Sequence, residues 1–314
     1  MPTGGITLKI NWSNDHDPTT GYGRVASSMR KAFMELGHEI SDEGIKIFHG
    51  LPIKTTFGAD YIYTMFETAP APLGWGVVMD SAKKVFTGST WSQNCLKGAT
   101  RRVQIIPVGH GVDINPIPRK ERSDGMFKFL TCAENVPRKF IKELITAFEE
   151  EFKDDERVQL NVKTWATPIN PVGLFYGTKR TLFLHSKVND MARLYANHDA
   201  YVLPSLEGWG LTQMEAIACG FKPIVLGFGG VMDFCDEENS IMVKPTPPQQ
   251  CPISNFPFME SYMKWVKPDI KDLKEKMRDV YEKGGEYLSK EYSDAFIKKW
   301  TWKDVARKII DELD

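Results

Sequence analysis

The sequence predicts an α/β protein built as two parallel-sheet halves joined by one linker. Three observations predict it. Each half opens with an apolar run followed by helical spacing: residues 6–12 precede Val25, Met29, Phe33 and Leu36, and residues 127–132 precede Leu144, Ala147, Phe148 and Phe152. Residues 114–125, INPIPRKERSDG, are rich in proline and charge, which is linker composition. Residues 201–220, YVLPSLEGWGLTQMEAIACG, read as a strand, a glycine loop and a helix, the repeating unit of a parallel sheet with its crossovers.

At 314 residues the chain is long enough for two cores. With 42% hydrophobic and 26% charged residues it has the composition of an ordinary globular protein. The net charge of −1 gives no global field for nucleic acid or an anionic membrane. Lys83, Lys84, Lys97, Arg101 and Arg102 lie close in sequence and read as solvated helix ends. The five cysteines (Cys95, Cys132, Cys219, Cys235 and Cys251) are odd in number and form no C-x-x-C pair. That usage suits free thiols in a reducing compartment, so a cytoplasmic protein is expected. No apolar run reaches the length of a membrane span, and no basic-then-apolar leader is expected at the start.

In the first half, the polar loop 13–20 ends in Gly21-Tyr22-Gly23, and Gly37 closes the helix that follows. Strands are expected at 46–49, 61–65, 84–86 and 103–107, with the cluster at 89–92 capping a helix. In the second half, strands are expected at 127–132, 158–163, 182–184, 201–203 and 223–226. Residues 191–196 read as a short helix and 165–181 as a poorly patterned loop. Residues 227–230 are a second glycine turn, and 245–257 read as a surface loop. Helices are expected over 270–283 and from 292 to the end, the last carrying the stripe Trp302, Val305, Ala306, Ile309 and Ile310.

The chemistry concentrates in 201–220. Glu207 in the loop and Glu215 in the helix stand eight positions apart, and Gly208 and Gly210 leave the helix's first N–H groups bare. Bare amides at a helix start form an anion site. Elsewhere the signals are weaker. Glu67 follows a strand and reads equally as a crevice carboxylate or a surface one. His110 sits between two glycines, free to face a ligand or to serve in a turn. Neither G-x-G-x-x-G nor a Walker lysine occurs. Asp15-His16-Asp17 is formally a D-x-D metal signature, but its place after the first strand and before a proline favours a turn.

Taken in order, these segments resemble a retaining glycosyltransferase of the GT-B fold, of the large family-4 type. Thr20-Gly21-Tyr22-Gly23-Arg24 before the first helix, Phe66-Glu67-Thr68 through Pro72 and Trp75, and Ile106-Pro107 through His110-Gly111-Val112-Asp113 resemble that family's first domain. Pro137-Arg138-Lys139, the E-x7-E stretch from Leu203 to Gly220, the continuation 221–225 with Gly229-Gly230, and Trp300-Thr301-Trp302 resemble its second domain and terminal helix. The resemblance implies two Rossmann-like domains facing a cleft. They are an acceptor-side domain over 1–118 and a nucleotide-sugar donor domain over 119–290. A helix over 291–314 would cross back to the first.

The resemblance also implies roles. Glu207 and Lys139 would be catalytic, one beside the sugar and the other on the leaving diphosphate. Glu215 would hold the ribose, with Gly210, Leu211, Thr212 and Arg138 on the donor and Gly21 and Gly23 closing on its phosphates. Glu67 and His110 would line the acceptor side. A metal would be unnecessary and no cofactor is expected. One departure stands out: Glu134 occupies the place of an arginine the family carries five residues before the lysine. Arg138 or Arg24 could compensate, Glu134 could face away, or activity could be weak. A UDP- or GDP-sugar is the expected donor, and the acceptor stays open among a glycan, a lipid-linked glycan, a protein, a small metabolite and a modified nucleobase. Peripheral membrane contact stays open with it, and near-neutral charge gives no support to nucleic acid. The alternatives are a sugar-nucleotide-binding subunit without turnover, or a GT-B epimerase or phosphorylase.

Overall fold

The computed structural model describes residues 6–13, 17, 20–119, 124–164, 180–184, 190–252 and 260–313. The chain divides into two compact units. One comprises Met1–Asp113, Gln249–Trp265 and Lys298–Asp314; the other comprises Ile114–Pro248 and Val266–Ile297. The expected loop at 165–179 lies outside the described residues, as do Asp15 and His16.

The first unit begins with β1 (Lys9–Ser13), α1 (Gly21–Glu35), β2 (Glu39–Ile40), β3 (Ile45–His49) and β4 (Tyr61–Tyr63). It continues through α2 (Trp75–Met79), β5 (Lys84–Thr87), α3 (Thr90–Lys97) and β6 (Gln104–Pro107). Its parallel sheet has the order β2-β1-β3-β4-β5-β6, with the direction of winding reversing between β1 and β3. The glycine pair at 21–23 corrects the sequence reading: it forms the first turn of α1 rather than a turn before it. Thr20 makes this so by accepting the Gly23 N–H at 3.0 Å, the side-chain cap that starts a helix. At the other end Gly37 adopts φ 89°, and His38 N–H reaches Phe33 O at 3.0 Å, closing α1 as expected. Ser89 caps α3 by accepting from Ser92 N–H at 3.0 Å.

The second unit contains β7 (Phe127–Cys132), α4 (Ile141–Glu151), β8 (Val158–Lys163), β9 (Thr181–Leu184), α5 (Met191–Ala196) and β10 (Ala200–Leu203). After these come α6 (Leu211–Ala218), β11 (Ile224–Leu226) and β12 (Ile241–Val243). All neighbours are parallel in the order β12-β11-β10-β7-β8-β9. The first three strands run one way from β7 and the last three the other way, so the reversal falls between β7 and β10. In such a sheet the carboxyl ends of those two strands flank the ligand crevice. Every residue of β10 and β11 is buried, the mark of a parallel sheet covered on both faces. Phe129, Phe148 and Phe152 pack together beneath β7 and β8.

The tail elements are β13 (Gln249–Gln250), β14 (Lys264–Trp265), α7 (Ile270–Glu282), α8 (Lys290–Lys299) and α9 (Trp302–Ile310). Two readings are corrected here. Part of the expected surface loop 245–257 pairs as β13 with β14, antiparallel, because main-chain bonds need no hydrophobic alternation to form. The single terminal helix is two, because Thr301 accepts the Asp304 N–H at 3.1 Å and starts α9 afresh. Within the first unit α9 packs against α1, with Val305, Ala306 and Ile309 buried and Lys303 3.1 Å from Glu35. Among the described residues no helix is long and apolar enough to cross a membrane.

His110 stacks between Tyr63 and Trp302, at ring separations of 6.0 and 5.3 Å, and is 1% exposed. Burial pushes its imidazole down to about 3. The unfolded chain takes up that proton below about pH 6.5, so stability present above that pH is lost as pH falls toward the folded value. Thermal unfolding followed from about pH 7 to pH 4 should show the wild type losing more midpoint temperature than His110→Phe. Parallel slopes would contradict the assignment.

Candidate functional site

The two loops that leave β7 and β10 carry the site. After Cys132 the chain passes through Glu134 and a 3₁₀ turn at Pro137–Lys139, then enters α4 at Phe140. Phe140 adopts φ 50°, ψ 33°, a left-handed conformation that costs a non-glycine residue about 1–2 kcal/mol. Its side chain is 1% exposed, and burying a phenyl ring returns about 2–3 kcal/mol, so the kink is held by packing. The kink lets the turn present Arg138 and Lys139 at the strand end. Leu206 N–H donates to Arg138 O at 2.9 Å, and Arg138 Nη1 donates to Leu206 O at 3.3 Å, joining this loop to the one after β10.

Glu207 lies in that second loop with 6% exposure. Its Oε1 accepts from Lys139 Nζ and Ser205 Oγ, each at 2.5 Å; its Oε2 accepts from Lys139 Nζ at 2.6 Å and Arg138 Nη1 at 3.2 Å. Burial pushes this carboxyl up, but the Lys139 and Arg138 charges outweigh it and hold the group down to about 2. The Glu207 carbonyl accepts Gly230 N–H at 2.8 Å, so the second glycine turn braces the loop from behind. At Gly229 (φ 94°) a Cβ would come within 3.1 Å of that carbonyl, a tight approach on a backbone conformation that already strains any side chain.

Gly210, at φ 116° and ψ 61°, caps α6 without a side chain. A Cβ there would meet Val231 at 2.8 Å and Gln213 Oε1 at 3.1 Å. The amides at the start of α6, around Leu211 and Thr212, thus begin a helix with no side-chain cap, beside two cations and one carboxylate. That arrangement favours an anion. Glu215 is 2% exposed, with Tyr195 OH 3.1 Å from its Oε2 and 2.9 Å from Thr212 O. Glu134 is exposed, whereas Arg138 supplies a guanidinium at Glu207. Of the sequence alternatives at this departure, the structure thus turns Glu134 to solvent.

The second unit therefore brings together Glu207, Lys139, Arg138, Gly210, Leu211, Thr212 and Glu215. Gly21, Gly23, Glu67 and His110 belong to the first unit. Gly21 is exposed at the start of α1, with open space where a Cβ would sit, while Gly23 is buried. Glu67 is half-buried past β4, and its carbonyl accepts Trp91 Nε1 at 3.0 Å. His110 is enclosed in the aromatic stack described above. Sequence reasoning missed Ser205, Gln213 and Tyr195. Gln213 left a signal: it stands four residues before Ile217, on the apolar side of α6. Among the described residues no group of three metal-ligating side chains is placed to hold an ion.

Residues 128–251 match the family model described as "Glycosyl transferases group 1". No curated protein matches the chain. Among solved structures, a glycosyltransferase from Rickettsia africae ESF-5 superposes with a TM-score of 0.65 at 13% identity, covering 98% of this chain and 97% of that one. TarM gives 0.61 at 14% identity, covering 84% of this chain and 54% of that one. A trehalose-6-phosphate synthase gives 0.57 at 12% identity, covering 93% and 78%. The chain spans about half the length of TarM and of the GtfA/B structure it matches. With two parallel α/β units of this topology, the protein has the GT-B fold.

Removing Lys139 would leave Glu207 buried with one less cation, and breaking a buried pair costs about 3 kcal/mol. Denaturant unfolding should show Lys139→Met destabilised by about that amount and Lys139→Met/Glu207→Gln restored by more than half. Additive losses in the double variant would show that the pair is not coupled.

Proposed function

We propose that the protein is a retaining glycosyltransferase that moves a sugar from a UDP- or GDP-sugar to an acceptor hydroxyl without a metal ion. The observation that carries this reading is the cluster of Lys139, Arg138 and Glu207 beside the uncapped start of α6, inside the segment matched by the group 1 family model. Breaking the C1–O bond of a nucleotide sugar sends the bonding electrons to the diphosphate and leaves positive charge on the sugar. Lys139, Arg138 and the amides at Gly210, Leu211 and Thr212 would stabilise the departing diphosphate. Glu207 would face the sugar, its carboxylate kept ionised through the working pH range by its cationic neighbours. Glu215 would take the ribose hydroxyls. The family resemblance would set Gly21 and Gly23 toward the donor phosphates and Glu67 toward the acceptor, whereas His110, 1% exposed between Tyr63 and Trp302, is packed too deeply to touch an acceptor.

Relatives of the fold support the parts of this reading. TarM of S. aureus has been solved as a mutant with UDP and alpha-GlcNAc-glycerol, which supports a UDP-linked donor. The trehalose-6-phosphate synthase was studied for glycosyltransfer with retention, which supports the stereochemical outcome. The same neighbours support a glycan or small hydroxylated acceptor, and a lipid-linked acceptor would add peripheral membrane contact.

Incubation with UDP- and GDP-sugars, with hydrolysis or transfer followed by nucleotide release, tests the reading. Wild-type protein should turn over at least one donor, and Glu207→Ala and Lys139→Ala should each lose roughly tenfold or more in kcat. Wild-type rates in both variants would remove the assigned site. Activity should survive EDTA; a loss restored only by Mn²⁺ or Mg²⁺ would contradict the metal-free mechanism. Tight UDP or GDP binding with no turnover on any acceptor would favour a sugar-nucleotide-binding subunit.

A further inference from the structure

Behind Glu207 lies a chain of neutral donors that the catalytic assignment does not use. Ser205 is fully buried and Gln213 is 1% exposed. Gln213 Nε2 donates to Ser205 Oγ at 3.1 Å, and Ser205 Oγ donates to Glu207 Oε1 at 2.5 Å. At the other end of the amide, Gln213 Oε1 accepts from Thr212 Oγ1 at 3.3 Å, and that hydroxyl also lies 3.3 Å from Cys132 O.

The direction of this chain is fixed by chemistry. An ionised carboxylate accepts only, so the single proton of Ser205 is committed to Glu207. The serine oxygen can then accept from the amide's NH₂ end, which sets the amide oxygen toward Thr212 Oγ1, whose one proton has Gln213 Oε1 and Cys132 O equally near. A buried glutamine is costly beside an apolar residue of similar volume, and it needs partners to be tolerated at all. Here those partners connect the first turn of α6 to Oε1 of the carboxylate, the oxygen that Lys139 also contacts.

We infer that Gln213 and Ser205 are positioning residues for Glu207, holding its carboxylate in place when an anionic ligand draws Lys139 and Arg138 toward itself. This rests on the donor-site reading above. In the structure Lys139 bridges both carboxylate oxygens, and the lysine alone could orient the group. Once the cations turn to a diphosphate, Ser205 keeps its bond to Oε1, and Gln213 prevents the serine from rotating away. Thr212, on the turn where the diphosphate would sit, ties this hold to occupancy of the helix start.

Lys139→Met imitates the withdrawn lysine and provides the background for the test. Protein labelled with ¹³C at the glutamate carboxyls, with the Glu207 signal assigned by loss in Glu207→Gln, is titrated between about pH 8 and pH 4. Adding Ser205→Ala to Lys139→Met should raise the proton affinity of Glu207 roughly tenfold, because a donor to the ionised form has gone, and Gln213→Met should raise it in the same direction by less, because the serine is freed to rotate. In the otherwise native protein, either change should lower kcat with UDP- or GDP-sugars roughly tenfold while donor KM moves less than about threefold. An unchanged Glu207 titration in both variants would overturn the inference, even if thermal stability falls, since a merely structural role would move stability alone. Ser205→Ala removes one small atom and keeps the test open if Gln213→Met folds poorly. A shifted titration with no turnover of any donor by wild type would leave the positioning role standing and remove the glycosyltransfer reading. Turnover with an unchanged titration would do the reverse.

Discussion

A buried ionised carboxylate is costly unless opposite charges or hydrogen-bond donors meet it, and the second unit is arranged so that two cations reach Glu207. The cations and the carboxylate come from different crossover loops, one after β7 and one after β10. Those strands are neighbours because the sheet winds outward in opposite directions from them, which opens their loops toward each other. The left-handed Phe140, the stitching of Leu206 to Arg138 and the glycine turn behind Glu207 each serve this meeting. Loosening any one would separate charges that cannot be left apart in a dry site.

The pair also explains how two cations can lie side by side in a largely buried site. Lys139 and Arg138 would repel each other beside the start of α6 if nothing opposed them. Glu207 supplies the opposing charge and leaves the cluster one positive charge in excess, which an incoming diphosphate can use. Because the carboxyl is held far below neutrality, this balance does not shift across the ordinary working range of pH. The exposure of Glu134 fits the same account: its carboxylate, if turned onto Lys139 and Arg138, would cancel that excess, and it is exposed instead.

Much of this was legible in the sequence, for identifiable reasons. Apolar residues recur at alternate positions in β7 (Phe127, Phe129) and β8 (Val158, Leu160, Val162), and those strands, like α5, fall on the expected residues. Glu207, Lys139 and the bare start of α6 were readable because glycine, proline and charge punctuate those loops. Other features leave weaker traces. The start of α1 was misplaced because a threonine cap can precede glycines that usually mark turns. The pair β13 and β14 has two residues per strand, too few to show a period. Ser205 and Gln213 were unreadable as a relay, since a hydrogen-bond path across eight residues depends on how the loop folds back. The aromatic enclosure of His110 draws on Tyr63 in β4 and Trp302 in α9 and could not be assembled from local spacing.

The central claim is that the charge cluster at the start of α6 is a diphosphate site. Thermal unfolding of the protein titrated with UDP and with GDP tests it most directly, since a ligand that binds only the folded state raises the midpoint. The account predicts a saturable rise with at least one of the two nucleotides, and its loss in Lys139→Glu. No rise with either nucleotide, or an equal rise in the variant, would contradict it.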